Sequence, residues 1–138
     1  MKKILVAVDG SPPSMLAARL ALELAQATGA KLTVAYSVPP TLMPGEVPFT
    51  VINDVMKAEI ARGKEVLQQV VKELGAPDVT PLELEGPVAE RVAEVAEQDG
   101  FDLVVVGSRG RNAVARVLLG SVADRLVHIC KKPVLVAR

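Results

Sequence analysis

The sequence predicts an α/β fold, a three-layer α/β/α sandwich built on a five-stranded parallel sheet. Short β-branched apolar runs alternate with helical stretches along the chain, the wiring of a parallel sheet with crossover helices. Half of the residues are apolar but only 2% are aromatic, so Val, Leu, Ile and Ala must form the core, as suits a sheet covered on both faces. At 138 residues the whole chain, 1–138, reads as one domain that needs no disulfide or metal to hold together.

Ile4 to Val8 is an apolar run closed by Asp9-Gly10, the pattern of a buried strand. Ser11 is placed to cap the following helix, with Pro12 in its first turn. Leu16, Leu20, Leu24 and Ala27 recur at helical spacing and are expected to face inward, with Gly29 as the stop. A second strand covers Leu32 to Val38. Pro39 to Pro48, with four prolines and a glycine, reads as an exposed loop. A long helix is expected from about Asn53 to Leu74, weakened in its middle by Gly63. Val79 to Leu84 predicts a third strand at an edge. Gly86-Pro87 opens a helix with Val88, Val92 and Val95 inward, ending at Gly100. Leu103 to Val106 is the most buried-looking strand, Val122 to Cys130 the last helix, and Pro133 to Ala137 the last strand.

Right-handed crossovers and the precedent of doubly wound sheets give the order 3-2-1-4-5, with the switch point between strands one and four. Lys plus Arg equals Asp plus Glu, at 16 each, so no net field favours nucleic acid or an anionic membrane. Scarce aromatics also disfavour stacking of single-stranded bases. Cys130 is the only cysteine, which excludes an internal disulfide and a four-cysteine zinc site. Apolar runs fall short of a membrane span. A signal-like start at Met1-Lys2-Lys3 breaks at Asp9-Gly10-Ser11-Pro12, so a cytoplasmic location is expected.

Ligands of doubly wound sheets bind beyond the carboxyl ends of the strands at the switch point. There the fourth strand runs into Gly107-Ser108-Arg109-Gly110, followed ten residues later by Gly120-Ser121. Glycine lets backbone N–H groups approach phosphate oxygens. Ser121 stands where the last helix begins, so helix N–H groups and the positive dipole end favour an anion. The plainer alternative is a glycine turn followed by a Ser121 cap, with Asp124 completing a capping box. No G-x-x-x-x-G-K-[ST] occurs, and no G-x-G-x-x-G follows the first strand. The phosphate grip would therefore be mostly backbone.

The spacing Gly107-x2-Gly110-x9-Gly120-Ser121 resembles the nucleotide-binding signature of ATP-binding universal stress proteins, without departure. Lys3-Ile4-Leu5-Val6-Ala7-Val8-Asp9-Gly10-Ser11 resembles that family's opening strand and turn, and Lys132-Pro133-Val134-Leu135-Val136 its close. The resemblance spans essentially the whole chain and implies an adenine nucleotide alpha-hydrolase-like sandwich. It implies that Ala7, Val8 and Asp9 line the adenosine end, with Asp9 near the ribose or a phosphate-bound metal. By the same resemblance Ser37 meets the adenine edge through its backbone. Gly107, Ser108, Gly110, Arg111, Asn112 and Ala113 would wrap ribose and phosphates, and Gly120, Ser121 and Val122 would hold the phosphate tail. ATP is the implied ligand, with any Mg or Mn ion held mainly by its phosphates, since no carboxylate cluster is visible.

Each candidate has a plainer reading. Asp9 would serve equally to cap the helix after it. A phosphoacceptor role is disfavoured, because Asp9 has no acidic neighbour and Lys132-Pro133 precedes the last strand. Arg109 and Arg111 would pair with phosphate or remain solvated loop charges, and Arg116 reads as surface. His128 is placed late in the last helix, beside its negative end, and Cys130 reads as a small buried hydrophobe. Leu42 and Met43 lie in a loop that serves either as connector or as a lid.

The expected function is a nucleotide-dependent regulatory module of the stress response, with ATP occupancy altering its surface or choice of protein partner. The alternative is a slow ATPase or phosphotransferase acting with a partner; beyond Asp9 and the two arginines no catalytic base or second acidic metal ligand is visible. A flavin carrier is disfavoured because Tyr36 is the only Tyr or Trp. Family members typically pair through the last strand, so a homodimer through Val134-Leu135-Val136 is expected.

Overall fold

The computed structural model describes residues 1–40, 45–109 and 119–138. Its elements alternate as β1 (Lys3–Ala7), α1 (Pro12–Thr28), β2 (Lys31–Val38), α2 (Phe49–Leu74), β3 (Thr80–Glu85), α3 (Val88–Gln98), β4 (Leu103–Gly107), α4 (Ser121–Ile129) and β5 (Val134–Ala137). The sheet order is β3-β2-β1-β4-β5 with every pairing parallel, as the sequence predicts. The carboxyl ends of β1, β2 and β4 are brought side by side, since Ala7 pairs with both Ala35 and Val106.

Alternation along the strands divides the interior into two layers. Ile4, Val6, Val34, Tyr36 and Val105 meet α1 and α2 on one face, while Leu5, Ala7, Ala35, Val104 and Val106 meet α3 and α4 on the other. All five residues of β4 are buried, which explains a strand sequence without alternation.

Ser11 caps α1 as expected: its Oγ accepts from the Ser14 N–H at 3.3 Å, Pro12 and Pro13 fill the first turn, and Gly29 ends the helix at φ 74°. The inward stripe is corrected. Ala17, Ala18, Ala21 and Ala25 form the buried face, Leu20 and Leu24 pack at its margin, and Leu16 is 52% exposed. Ala27 is exposed too. Small side chains let the helix axis come close to the sheet, so the alanines rather than the leucines mark the contact.

The long helix begins at Phe49, four residues before the expected start, directly after Pro48. Gly63 has a packing reason: a Cβ there would lie 2.7 Å from Cδ1 of Tyr36, so the glycine seats the tyrosine ring against α2. Val92 and Val95 are buried as expected, joined by Ala89 and Ala96. Cys130 is half-buried at the end of α4 rather than fully buried, with its neighbour Ile129 packed on the same core layer. Among the described residues no helix is long and apolar enough to cross a membrane.

Candidate functional site

A cavity of about 260 Å³ opens at the carboxyl ends of the strands, where β1 and β4 lie side by side. Ala7, Val8 and Asp9 enter its wall from the end of β1, and Ser37 from the end of β2. Gly107 and Arg109 contribute from the end of β4, and Gly120, Ser121 and Val122 from the start of α4. The structure thus gathers these sequence-predicted residues around one space. Ser108 stands behind the wall, its N–H donating to Ala137 O at 2.7 Å and its carbonyl accepting from Gly120 N–H at 2.6 Å. It ties the two flanks of the glycine loop to each other and to β5. Gly110, Arg111, Asn112, Ala113 and Arg116 lie outside the described residues, as do Leu42 and Met43 of the suggested lid.

The turn after β1 is knit by short-range hydrogen bonds. Asp9 Oδ1 accepts from the Ser11 N–H at 2.9 Å, a side-chain turn typical of aspartate. Ser14 Oγ accepts from the Asp9 N–H at 3.3 Å and donates to Ser11 O at 2.9 Å. Asp9 therefore does not cap α1; it braces Ser11, which does. On the other side of the cavity Ser37 Oγ donates to Gly86 O at 2.9 Å, and the Gly86 N–H donates to Val38 O at 2.9 Å. The Ser37 hydroxyl proton is thus engaged at Gly86, while its oxygen keeps acceptor capacity.

The start of α4 differs from the plainer reading. Gly120, not Ser121, is the N-cap, no side chain among the described residues caps the helix, and Ser121 is the first helical residue. Asp124 forms no capping box. Its N–H donates to Gly120 O at 2.9 Å, and its carboxylate lies 3.9 Å from His128 Nδ1. A first turn without a side-chain cap keeps its donors for a partner beyond the helix, and Gly120, Ser121, Val122 and Ala123 all border the cavity. Dipole and N–H groups together make this end attractive to an anion. His128 is remote from the cavity wall and exposed, its Nδ1 2.7 Å from Asp124 O in the last turn of α4.

Sequence reasoning missed Ser14, Tyr36, Pro39, Val88, Val106 and Ala123, which complete the wall. Val88 and Ala123 are simply the first-turn residues of helices that begin at this end of the sheet, a placement the predicted topology contained. Ser14 carried no signal of its own beyond its distance from the Ser11 cap.

The profile of the Universal stress protein family matches residues 1–138. The chain belongs to the universal stress protein family. A universal stress protein of Methanocaldococcus jannaschii is 36% identical over 143 residues, covering 99% of this chain and 82% of that protein. Among solved structures, the universal stress protein UspA from Lactobacillus plantarum superposes with a TM-score of 0.89 at 28% identity, covering 99% of this chain and 97% of that one. A universal stress protein in complex with cAMP superposes with a TM-score of 0.74 at 27% identity, covering 99% and 97%. Both superpositions cover 99% of this chain, so the cavity lies within the shared fold rather than on an added segment.

Proposed function

We propose that this universal stress protein binds ATP in the cavity at the ends of β1 and β4 and acts as a nucleotide-dependent regulatory module. The start of α4 carries this reading. Gly120 has φ −62° and ψ 158°, an extended conformation open to any residue, so its backbone does not call for glycine. A bare N-cap on a helix start that no side chain among the described residues caps, bordering a cavity, leaves room for close approach of a phosphate. The cAMP complex of a related universal stress protein supports an adenine nucleotide as the class of ligand.

In this reading the adenine lies among Val88, Pro39 and the backbone of Ser37, and the ribose near Asp9. Gly107, Arg109 and the loop residues Gly110, Arg111, Asn112 and Ala113 surround the ribose and phosphates, with Ser108 fastening the loop from behind. Gly120, Ser121 and Val122 hold the phosphate tail. At about 260 Å³ the cavity is near the small end of ligand sites, about 300 Å³; it suits the nucleoside, with the phosphates running along the start of α4. Among the described residues no three acidic, histidine or cysteine groups are placed to hold a metal ion, so a Mg or Mn ion would ride on phosphate oxygens.

The competing reading is an ATPase or phosphotransferase. Rapid phosphoryl transfer needs an oriented nucleophile and a positioned metal. The carboxylate bordering the cavity, Asp9, has Oδ1 engaged by Ser11, and its role here is to hold ligand rather than to activate water. Hydrolysis by the pure protein should be slow. Brisk phosphate release on addition of Mg-ATP would favour the enzyme.

Assembly belongs to the same proposal. β3 and β5 are the sheet edges. β3 carries Pro81, Glu83 and Glu85, which discourage strand addition. The Val134-Leu135-Val136 run of β5 is half-buried and uncharged, so a second copy should pair there.

Mass spectrometry of the native protein as purified tests the ligand. Bound ATP, lost in Gly120→Val with the melting temperature of the nucleotide-free parent kept, is the expected result. Protein recovered empty and unshifted in melting temperature by millimolar Mg-ATP would refute it.

A further inference from the structure

Ser37 borders the cavity at the strand ends and is 5% exposed. It stands two residues beyond Ala35 on β2, so the pleat turns both side chains to one face, the face of Ala7 and Val106. Ala7, Val88, Val106 and Ala123 of that layer also border the cavity, and all are apolar. Ser37 therefore brings a hydroxyl to an apolar stretch of wall. The direction of its proton is set by its partner. The Gly86 carbonyl oxygen, 2.9 Å away, can only accept, so the Ser37 O–H donates there. That carbonyl is held in turn, because the Gly86 N–H donates to Val38 O at 2.9 Å. With its one proton committed, Ser37 Oγ offers a guest only lone pairs.

We propose that Ser37 Oγ is a specificity-determining group, by which this cavity selects 6-amino over 6-oxo purine nucleotides. The inference rests on the nucleotide reading given above and adds a side-chain role to it. In the order β2-β1-β4, the end of β2 lies two strand spacings, roughly 10 Å, from the end of β4. Phosphates at the start of α4 thus leave the base, the far end of the nucleotide, at β2. The 6-amino group of adenine carries N–H donors, whereas a 6-oxo group carries only lone pairs. An oxygen restricted to accepting bonds the first. Facing the second, it leaves two acceptors unpaired in an apolar surround, which costs binding. The backbone at position 37 would be the same for any side chain short of proline, so substitution isolates the part played by the hydroxyl.

The test is isothermal titration of the nucleotide-free full chain with the magnesium complexes of three triphosphates. These are ATP, purine riboside triphosphate, which has hydrogen in place of the amino group, and inosine triphosphate, which has oxygen there. The parent should bind ATP about three- to tenfold more tightly than purine riboside triphosphate, the worth of one neutral hydrogen bond, and inosine triphosphate most weakly. Ser37→Ala should narrow the preference for ATP over purine riboside triphosphate to within about twofold, since neither ligand then finds the bond. Ser37→Cys, similar in size and a weak acceptor, should narrow it likewise and serves where Ser37→Ala fails to fold. A hydroxyl that only braces Gly86 would, on removal, lower all three affinities together and keep their ratios; that result would overturn the inference. Equal binding of the three by the parent would overturn it too. In both cases ATP still binds, and the nucleotide reading stands. Binding of none of the three by the parent would overturn that reading and the inference with it.

Discussion

At Gly107 an added Cβ would lie 2.9 Å from the carbonyl oxygen of Pro13, 3.0 Å from its carbonyl carbon and 3.3 Å from Ser14 N. These are backbone atoms in the first turn of α1 and have no rotamer to yield. The first glycine of the spaced motif thus lets the end of β4 close on the start of α1, whereas Gly120 is bare toward the cavity at an unstrained φ and ψ. Their substitutions should separate accordingly. Gly107→Ala should lower stability by about 1–3 kcal/mol, the usual cost of forcing extra bulk into a packed site, and should weaken ATP binding along with it. Gly120→Val should lose ATP while keeping the melting temperature of the nucleotide-free parent. Thermal melts of both variants, with and without Mg-ATP, check this; a Gly107→Ala protein as stable as the parent would contradict the packing role. Spacing alone located the cavity but did not divide these two tasks, because the contact that fixes Gly107 is to a residue at the other end of the sequence.

Elements were legible where a local signal and the tertiary contact coincide. Ser11 with Pro12 and Gly29 bounds α1 because caps are local chemistry. The buried face of the same helix was misread because Ala is both a helix former and the residue that permits close packing, so the larger leucines drew the stripe. Similarly Ser121, a good capping residue, yielded the cap position to Gly120. The start of the sheet holds a less visible device. The Lys2 and Lys3 N–H groups donate to Asp102 Oδ2 at 2.7 and 2.9 Å, joining the beginning of β1 to that of β4. These bonds, Lys2 first and Lys3 next, hold the Asp102 carboxyl below the usual aspartate range. Folding therefore favours its ionised form. That contribution is complete above the unfolded value, about 4, and is lost as pH falls through the lower folded value. Asp102→Asn keeps an acceptor oxygen but cannot titrate. Its stability should fall less than the parent's between about pH 5 and about pH 3, as chemical denaturation at each pH would show. An identical acid limb in both proteins would contradict the role given to this carboxylate.

For the whole molecule, the sheet order and the location of the cavity follow from alternation and handedness, which act over the full chain. The seating of α2 on the sheet was not legible, since it depends on how the Tyr36 ring meets Gly63 across two layers. Quaternary structure is argued from the unequal edges: proline and glutamates on β3, an uncharged apolar run on β5. Light scattering should give the mass of two chains, and a mass of one chain would refute pairing through Val134–Val136. The central claim is that the cavity at the ends of β1 and β4 holds ATP on the bare start of α4. Isothermal titration of nucleotide-free protein with Mg-ATP, run beside Gly120→Val, tests it most directly. Saturable binding by the parent and none by the folded variant is the predicted result; equal binding by both, or none by either, would contradict it.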